Sequence, residues 1–164
     1  MMAQNDLFIK RDRMRYTKDS FSSNLVLLAI VFDVLYFVSI YQSDVGSYYY
    51  NWVIGASVIY NLLFLLTAFL ASQGVKNRKS TYCSTLLVIG LLQIVRIFYL
   101  PAKAHKAVVM AGKEELRAMA DGQYTYVVVC LIASAVCCVV AAVSCYRNCK
   151  HLEQHMRDLE TQAP

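Results

Sequence analysis

The stretch Cys83–Leu100, with the sequence CSTLLVIGLLQIVRIFYL, decides the fold class of this chain. It is almost wholly apolar and long enough to cross a bilayer as a helix, yet its second half carries Gln93 and Arg96. A charged residue near mid-membrane costs roughly 2.5–3.5 kcal/mol on insertion scales, so it usually faces protein and has a partner. We therefore expect a membrane protein in which Arg96 meets an acidic residue on another helix.

The composition also predicts a membrane protein. Of 164 residues, 58% are hydrophobic, compared with about 45–50% in soluble domains, and the mean hydropathy is +0.43. Charged residues avoid four long apolar windows and crowd the segments between them, as in multi-pass proteins. The net charge of +5 is explained by basic residues flanking these windows, and no basic face interleaved with aromatic residues predicts nucleic-acid binding.

The four apolar windows predict an all-α integral membrane protein, built as a four-transmembrane-helix bundle. The N-terminal segment does not resemble a cleaved signal peptide, so the first span is expected to remain as an anchor. Ser20 is expected to cap the first helix and Pro101 to end the third. The expected spans are 21–41, 50–71, 83–100 and 126–145, within a transmembrane domain of residues 21–146 that is preceded by a basic segment, 1–20, and followed by a tail, 147–164.

The basic residues predict that both termini are cytoplasmic (N-in/C-in). Lys and Arg concentrate in the cytoplasmic segments of membrane proteins. The segments assigned to the inside hold five, three and three basic residues, against none and four in the segments assigned to the outside. Short connections and basic inner segments suit the cytoplasmic membrane of a bacterial cell.

Two segments outside the spans are also expected to be helical. The outer loop between the third and fourth spans has an apolar stripe over residues 108–120, followed by an Asp-Gly pair, which predicts a short amphipathic helix. The fourth helix is expected to continue into the cytoplasm, because Leu152, Met156 and Leu159 lie on one side of it. That apolar side could dock on a partner protein.

Polar residues at similar depths predict a polar centre in the bundle. A rise of 1.5 Å per residue puts Asp33 and Arg96 about 18 and 20 Å from the inner ends of their helices. Asn61, Gln93 and Ser134 lie about 13, 15 and 18 Å from the inner face by the same arithmetic. Asp33 is therefore the expected partner of Arg96. The centre could brace the bundle, hold a substrate or proton, or meet a partner subunit in the membrane.

The fourth span carries a stripe of small residues, one every four positions. In lipid, small residues at this spacing let two helices approach closely, because helix association there depends on packing and hydrogen bonds. The stripe predicts a helix-packing face, either within the chain or between copies. Its members are Ala133, Cys137, Ala141 and Cys145.

No motif predicts catalysis, a cofactor or a metal site. The six cysteines form no C-x-x-C pair, which disfavours a membrane thiol oxidoreductase, so they are expected to be small apolar packers. His151 and His155 are four residues apart with Cys149 nearby, a spacing that suits a metal, but no second ligand pair completes a tetrahedral set. A glycine-rich phosphate loop and an activated nucleophile are also missing from the sequence.

The sequence thus predicts a non-catalytic accessory or regulatory subunit of a membrane complex, or a homo-oligomer. Its expected partners are the lipid bilayer and another membrane protein or itself. The alternative is a small transporter or channel that uses the polar centre as a site for a small solute or a proton. A water-accessible cavity that reaches Asp33 and Arg96 would favour transport. A dry, packed pair would favour an accessory subunit or a homo-oligomer.

Overall fold

The computed structural model of this chain describes residues 18–41, 51–106, 108–111, 114–117 and 119–162. Within these residues, four helices are long and apolar enough to cross a membrane, as the sequence predicts. The fourth helix continues far beyond its expected span, into the segment predicted to be a helical tail. The elements are α1 (Ser20–Tyr41), α2 (Asn51–Lys76), α3 (Ser80–Lys106), β1 (Val108–Ala111), β2 (Glu114–Arg117) and α4 (Asp121–Gln162).

Asp19, and not Ser20, caps α1. Its carboxylate accepts hydrogen bonds from the backbone N–H of Ser22 at 3.1 Å and from the Ser22 hydroxyl at 2.7 Å. A carboxylate here also complements the positive end of the helix dipole, an advantage that a serine hydroxyl lacks. The backbone N–H of Asp19 donates to the carbonyl of Lys76 at 3.1 Å, which joins the start of α1 to the end of α2.

The expectation that Pro101 ends the third helix is wrong. α3 continues through Pro101 to Lys106, and Pro101 is buried. Proline inside a helix removes one hydrogen bond and crowds the preceding turn. The continuation buries Ala104 in the core and brings three basic side chains into the last turn, where the helix dipole favours positive charge. These gains offset the cost of the proline.

The short helix expected over residues 108–120 is also replaced by another structure. β1 and β2 pair as antiparallel strands, with Val108 opposite Arg117 and Ala111 opposite Glu114. The adjacent β-branched residues Val108 and Val109 favour a strand. A glycine, Gly112, stands first among the two residues between the strands, and this composition favours a hairpin. The apolar stripe is too short to decide between helix and strand.

The core of the bundle consists of two apolar clusters with polar residues between them. We call one end of the bundle the turn end, because it holds the turn between α2 and α3, and the other the hairpin end. All four helices contribute to the turn-end cluster, whereas the described side chains of α2 contribute none to the hairpin-end cluster. Outward-facing side chains are apolar and exposed, as contact with lipid requires, among them Leu62, Val95 and Phe98.

The small-residue stripe of α4 packs within the chain. Ala141 and Cys145 are fully buried in the turn-end cluster, and Cys137 packs against it. Ala133 is half-buried. Of the two packing modes that the sequence leaves open for this stripe, the structure therefore shows the one within the chain.

Candidate functional site

Three helices meet at the polar centre through one hydrogen-bonded network. Oδ1 of Asp33 on α1 accepts hydrogen bonds from Nη1 of Arg96 at 3.0 Å and from Nε2 of Gln93 at 2.8 Å, both on α3. Nη2 of Arg96 donates to Oδ1 of Asn61 on α2. Asp33 and Arg96 thus form the ion pair that their matching depths predict. Each charged group is also bonded to an amide side chain.

Ser134, the fifth residue predicted for the centre, bonds to the backbone instead. Its hydroxyl donates to the carbonyl of Ala29 at 3.0 Å, which is one helical turn before Asp33. The side chain is fully buried. Ser134 therefore joins α4 to α1 beside the network, through the backbone and not through a side chain of the centre.

The polar centre is almost inaccessible to solvent. The exposed fraction is 0% for Asp33 and Gln93, 2% for Asn61 and 7% for Arg96. A buried ion pair must be held in good geometry and hydrogen-bonded, because desolvation of its charges otherwise exceeds their attraction. The two amides provide these additional hydrogen bonds.

Two tyrosine rings complete the surroundings of Arg96. The guanidinium carbon lies 4.3 Å from the ring centroid of Tyr36 and 4.9 Å from that of Tyr60. Such cation–π contacts contribute about 2 kcal/mol when the cation is desolvated. The sequence does not single out these rings, since tyrosine is common in apolar spans. The available signal was their spacing: Tyr36 follows Asp33 by one turn, and Tyr60 adjoins Asn61.

One carboxylate oxygen of the centre is left unsatisfied. Oδ2 of Asp33 is buried and has no hydrogen-bond partner among the described residues, although Oδ1 has two donors. A buried polar atom without a partner costs about 1–3 kcal/mol. This oxygen is the point at which the centre could accept a proton or a further donor.

A cavity of about 300 Å³ lies between α2 and α3 and borders Arg96. It lies toward the hairpin end, where no described side chain of α2 belongs to the apolar cluster. The walls are predominantly apolar, and they include the exposed side chains of Val95 and Tyr99, so the space opens to the outer surface of the bundle. Neither Asp33 nor Gln93 lines it. The lining residues are Ala56, Ser57, Tyr60, Leu92, Val95, Arg96, Tyr99 and Leu100.

A second group of chemically active side chains, the three-cysteine group, lies at the turn end. Cys83 and Cys145 are joined by a disulfide. Sγ of Cys149 lies 4.0 Å from Sγ of Cys145, and its thiol donates to the carbonyl of Arg78 at 3.1 Å. The expectation that all cysteines are simple apolar packers is therefore wrong for Cys83 and Cys145. The helical rise of 1.5 Å per residue, counted along each span as for the polar residues, places Cys83 and Cys145 at the same end of the bundle.

The histidines considered for metal binding are not part of the three-cysteine group. His151 is exposed and His155 is half-buried. Cys149 instead lies beside Cys83 and Cys145, with all three sulfurs within 4.8 Å of one another. The ligands that the fold brings together thus differ from those that lie close in the sequence.

Asp19 fastens the turn end of the bundle. Its Oδ2 accepts a hydrogen bond from Nδ2 of Asn148 on α4 at 2.7 Å, in addition to the bonds from Ser22. Burial raises the pKa of Asp19, but the hydrogen bonds from Asn148 and Ser22 and the charge of Arg78 outweigh it, so the pKa lies below its usual value. Asp19 was missed because its sequence position resembles an ordinary solvated acid.

Among the described residues, the polar centre brings together one ion pair, two amides and two aromatic rings. These groups can hold helices together or bind and release a proton.

Comparisons with protein-family models, with curated proteins and with solved structures find no match for this chain.

Proposed function

We propose that this chain is a non-catalytic multi-pass membrane protein that acts as an accessory or regulatory subunit of a membrane complex, or that assembles with copies of itself. Both termini lie in the cytoplasm, and the host membrane is the cytoplasmic membrane. The buried, internally paired polar centre carries the proposal. Asp33, Gln93 and Asn61 are sealed inside the bundle, and each is bonded to another member of the network.

This internal pairing supports a role in organising the bundle. Buried ion pairs seldom add more stability than well-packed apolar residues would, but they penalise arrangements that leave a charge unpaired. The network joins α1, α2 and α3, and Ser134 joins α4 to α1. The centre thus specifies which helices meet, and the protein presents a defined bundle to its partner.

The part of α4 beyond the bundle is the proposed docking element. α4 ends at Gln162, about 20 Å beyond Cys149 at 1.5 Å per residue. Leu152 and Met156 are half-buried one turn apart, whereas Gln154 and Arg157 are exposed. The apolar side suits a partner at the cytoplasmic surface. The side chain of Leu159, the third residue predicted for this side, lies outside the described residues.

Native mass spectrometry and crosslinking of the gently extracted full-length protein test this proposal. Wild type is expected to appear with a second copy or a co-purifying membrane subunit. The double substitution Leu152→Gln and Met156→Gln should reduce the associated fraction several-fold. His151→Gln with Arg157→Gln alters the exposed side of the same segment and is the matched control, which should associate like wild type. A strict monomer that conducts solute in liposomes would overturn the proposal.

The alternative function is that of a small transporter or channel using the polar centre. It is favoured by the cavity that borders Arg96 and by the unsatisfied Oδ2 of Asp33. The measurement is proton or solute flux in liposomes containing wild type or Asp33→Asn. Flux that Asp33→Asn abolishes would favour this alternative, provided that the variant is still monodisperse.

A further inference from the structure

We propose that Cys83, Cys145 and Cys149 form a binding site for one soft metal cation, Cu(I), when the disulfide between Cys83 and Cys145 is reduced. This proposal goes beyond the proposed function, because it concerns the turn end and not the polar centre, and it shares with that function only the cytoplasmic assignment of the turn end. It rests on the positions of the three sulfurs, on their burial and on the end of the bundle at which they lie.

The positions of the sulfurs suit a trigonal site. Cys83 comes from the first turn of α3, while Cys145 and Cys149 are four residues apart on one face of α4. Metal–sulfur bonds of about 2.3 Å place three sulfurs around one ion about 4 Å apart. The sulfurs of Cys145 and Cys149 are 4.0 Å apart. All three lie within 4.8 Å, so a rotation of the reduced Cys83 side chain completes the triangle.

The ligand set favours Cu(I) over Zn²⁺. Soft thiolate ligands select both ions, but a structural zinc site takes four ligands in a tetrahedron. Among the described residues, the metal-binding group consists of three cysteines. All three are buried, with exposed fractions of 4% for Cys83, 0% for Cys145 and 5% for Cys149, so an ion held by them has little contact with solvent. Three thiolates are sufficient for a trigonal Cu(I) site.

The predicted location of the group also favours a metal site. The turn end holds Lys76, Arg78 and Lys79, so the distribution of charge assigns it to the cytoplasm. Thiols are kept reduced there, and cysteine groups in that compartment are more often metal-binding or catalytic than structural disulfides.

The disulfide and the metal site exclude each other, since both use Cys83 and Cys145. A dithiol reductant supplies two electrons and two protons, which convert the disulfide to two thiols while the reductant becomes a disulfide. Cu(I) then replaces the thiol protons, because thiolates are the metal ligands. The hydrogen bond from Cys149 to the carbonyl of Arg78 is given up when this thiol loses its proton.

The test is titration of reduced, full-length protein with Cu(I) under anaerobic conditions, in competition with a chromogenic Cu(I) chelator. We expect one ion per chain in wild type. Cys83→Ser and Cys149→Ser should lose this stoichiometric binding. Cys137→Ser removes a half-buried thiol outside the group and is the matched control, which should bind like wild type.

A second measurement on wild type does not depend on variants that fold. Cu(I) should protect Cys83, Cys145 and Cys149 from alkylation, as mass spectrometry of peptides reports, and should leave Cys137 unchanged. The proposal is overturned if wild type retains no Cu(I), or if it retains Zn²⁺ in preference. Equal binding by a variant with all three cysteines replaced by Ser would also overturn it.

Discussion

Asp33 and Arg96 depend on each other more than on any other group in the polar centre. Each has an amide partner, Gln93 for the acid and Asn61 for the base, but an amide cannot neutralise a charge. Removal of one member of a buried ion pair costs about 3–5 kcal/mol, because the other charge is left uncompensated. A double substitution that removes both charges avoids most of this cost.

Asp33→Asn alone, Arg96→Leu alone and Arg96→Gln alone should therefore lower the yield of folded protein, whereas Asp33→Asn with Arg96→Gln should recover part of it. The measurement is the amount of monodisperse protein after detergent extraction. Lys103→Gln removes an exposed cation from the same helix and is the control, with an expected yield near that of wild type. If the double variant is no better than the sum of the single variants, the two residues are not coupled.

Asp19 predicts a pH dependence at the turn end. Its pKa in the folded protein lies below the usual value, so the ionised form is favoured by folding. The resulting stability is fully present above the unfolded pKa of about 3.9 and is lost as the pH falls toward the folded pKa. The unfolding temperature of wild type in detergent should fall more steeply below roughly pH 4 than that of Asp19→Asn, in which Asn still caps the helix. Parallel curves for the two proteins would rule out this role.

The sequence predicts a contact well when a charge in lipid leaves few possible partners. Arg96 needed an acid at its own depth, and Asp33 was the one available in the spans. Ser134 had no such restriction, because a hydroxyl is satisfied equally by a backbone carbonyl, which it finds at Ala29. Cysteines are ambiguous for the same reason, since a thiol can pack as an apolar group or bond to another sulfur.

At the scale of the elements, Gly90 sets how closely α3 and α4 approach. A Cβ at this position would lie 3.1 Å from Cβ of Cys138 and 3.4 Å from the carbonyl oxygen of Ala135. Larger side chains here must separate the helices, and overpacking costs about 1–3 kcal/mol. Close contact of this kind is how helices associate in lipid.

Gly90→Leu should therefore lower the unfolding temperature in detergent and the monodisperse yield. Gly55→Leu is the matched control, because a Cβ at Gly55 meets nothing within 4 Å, and it adds the same apolar side chain to another transmembrane helix. Equal stability of the two variants would show that the approach at Gly90 is not tight. Ala141→Leu is expected to resemble Gly90→Leu, since Ala141 is buried inside the chain.

Local sequence patterns were least reliable outside the spans. The spacing of the apolar residues over 108–120 is compatible with a helix. Two adjacent valines, Val108 and Val109, and the glycine between the strands, Gly112, favour paired strands instead. The local preference of proline predicts that α3 ends at Pro101. The helix continues instead, because the following turn is buried in the hairpin-end cluster. Long apolar spans are predicted more securely because the bilayer demands backbone hydrogen bonds within each segment.

At the scale of the whole molecule, the polar centre separates two unlike halves. The turn-end half is a four-helix core that also contains the disulfide and the contacts of Asp19. Among the described side chains, those of the helices that form the hairpin-end cluster come from α1, α3 and α4, and the cavity beside Arg96 lies between α2 and α3. The turn end is thus the more cross-linked half, and we expect motion of α2 to be concentrated at the hairpin end.

The orientation of the bundle in the membrane rests on its charges. Lys76, Arg78 and Lys79 at the turn end assign that end to the cytoplasm, while four basic residues in and beside the hairpin oppose the assignment. Three acidic residues, Glu114, Glu115 and Asp121, offset part of that opposing charge. The assignment therefore predicts opposite accessibility for the two ends in intact cells.

Cysteines introduced at Ala111 and at Lys79, one at a time, distinguish the two orientations. The background replaces all six native cysteines with Ala or Ser, so that only the introduced thiol can react with maleimide. Cys at position 111 should react with an impermeant maleimide in intact cells, and Cys at position 79 only after lysis. The reverse pattern would place the turn end outside. It would also move the three-cysteine group to an oxidising compartment, where its disulfide would be the expected state.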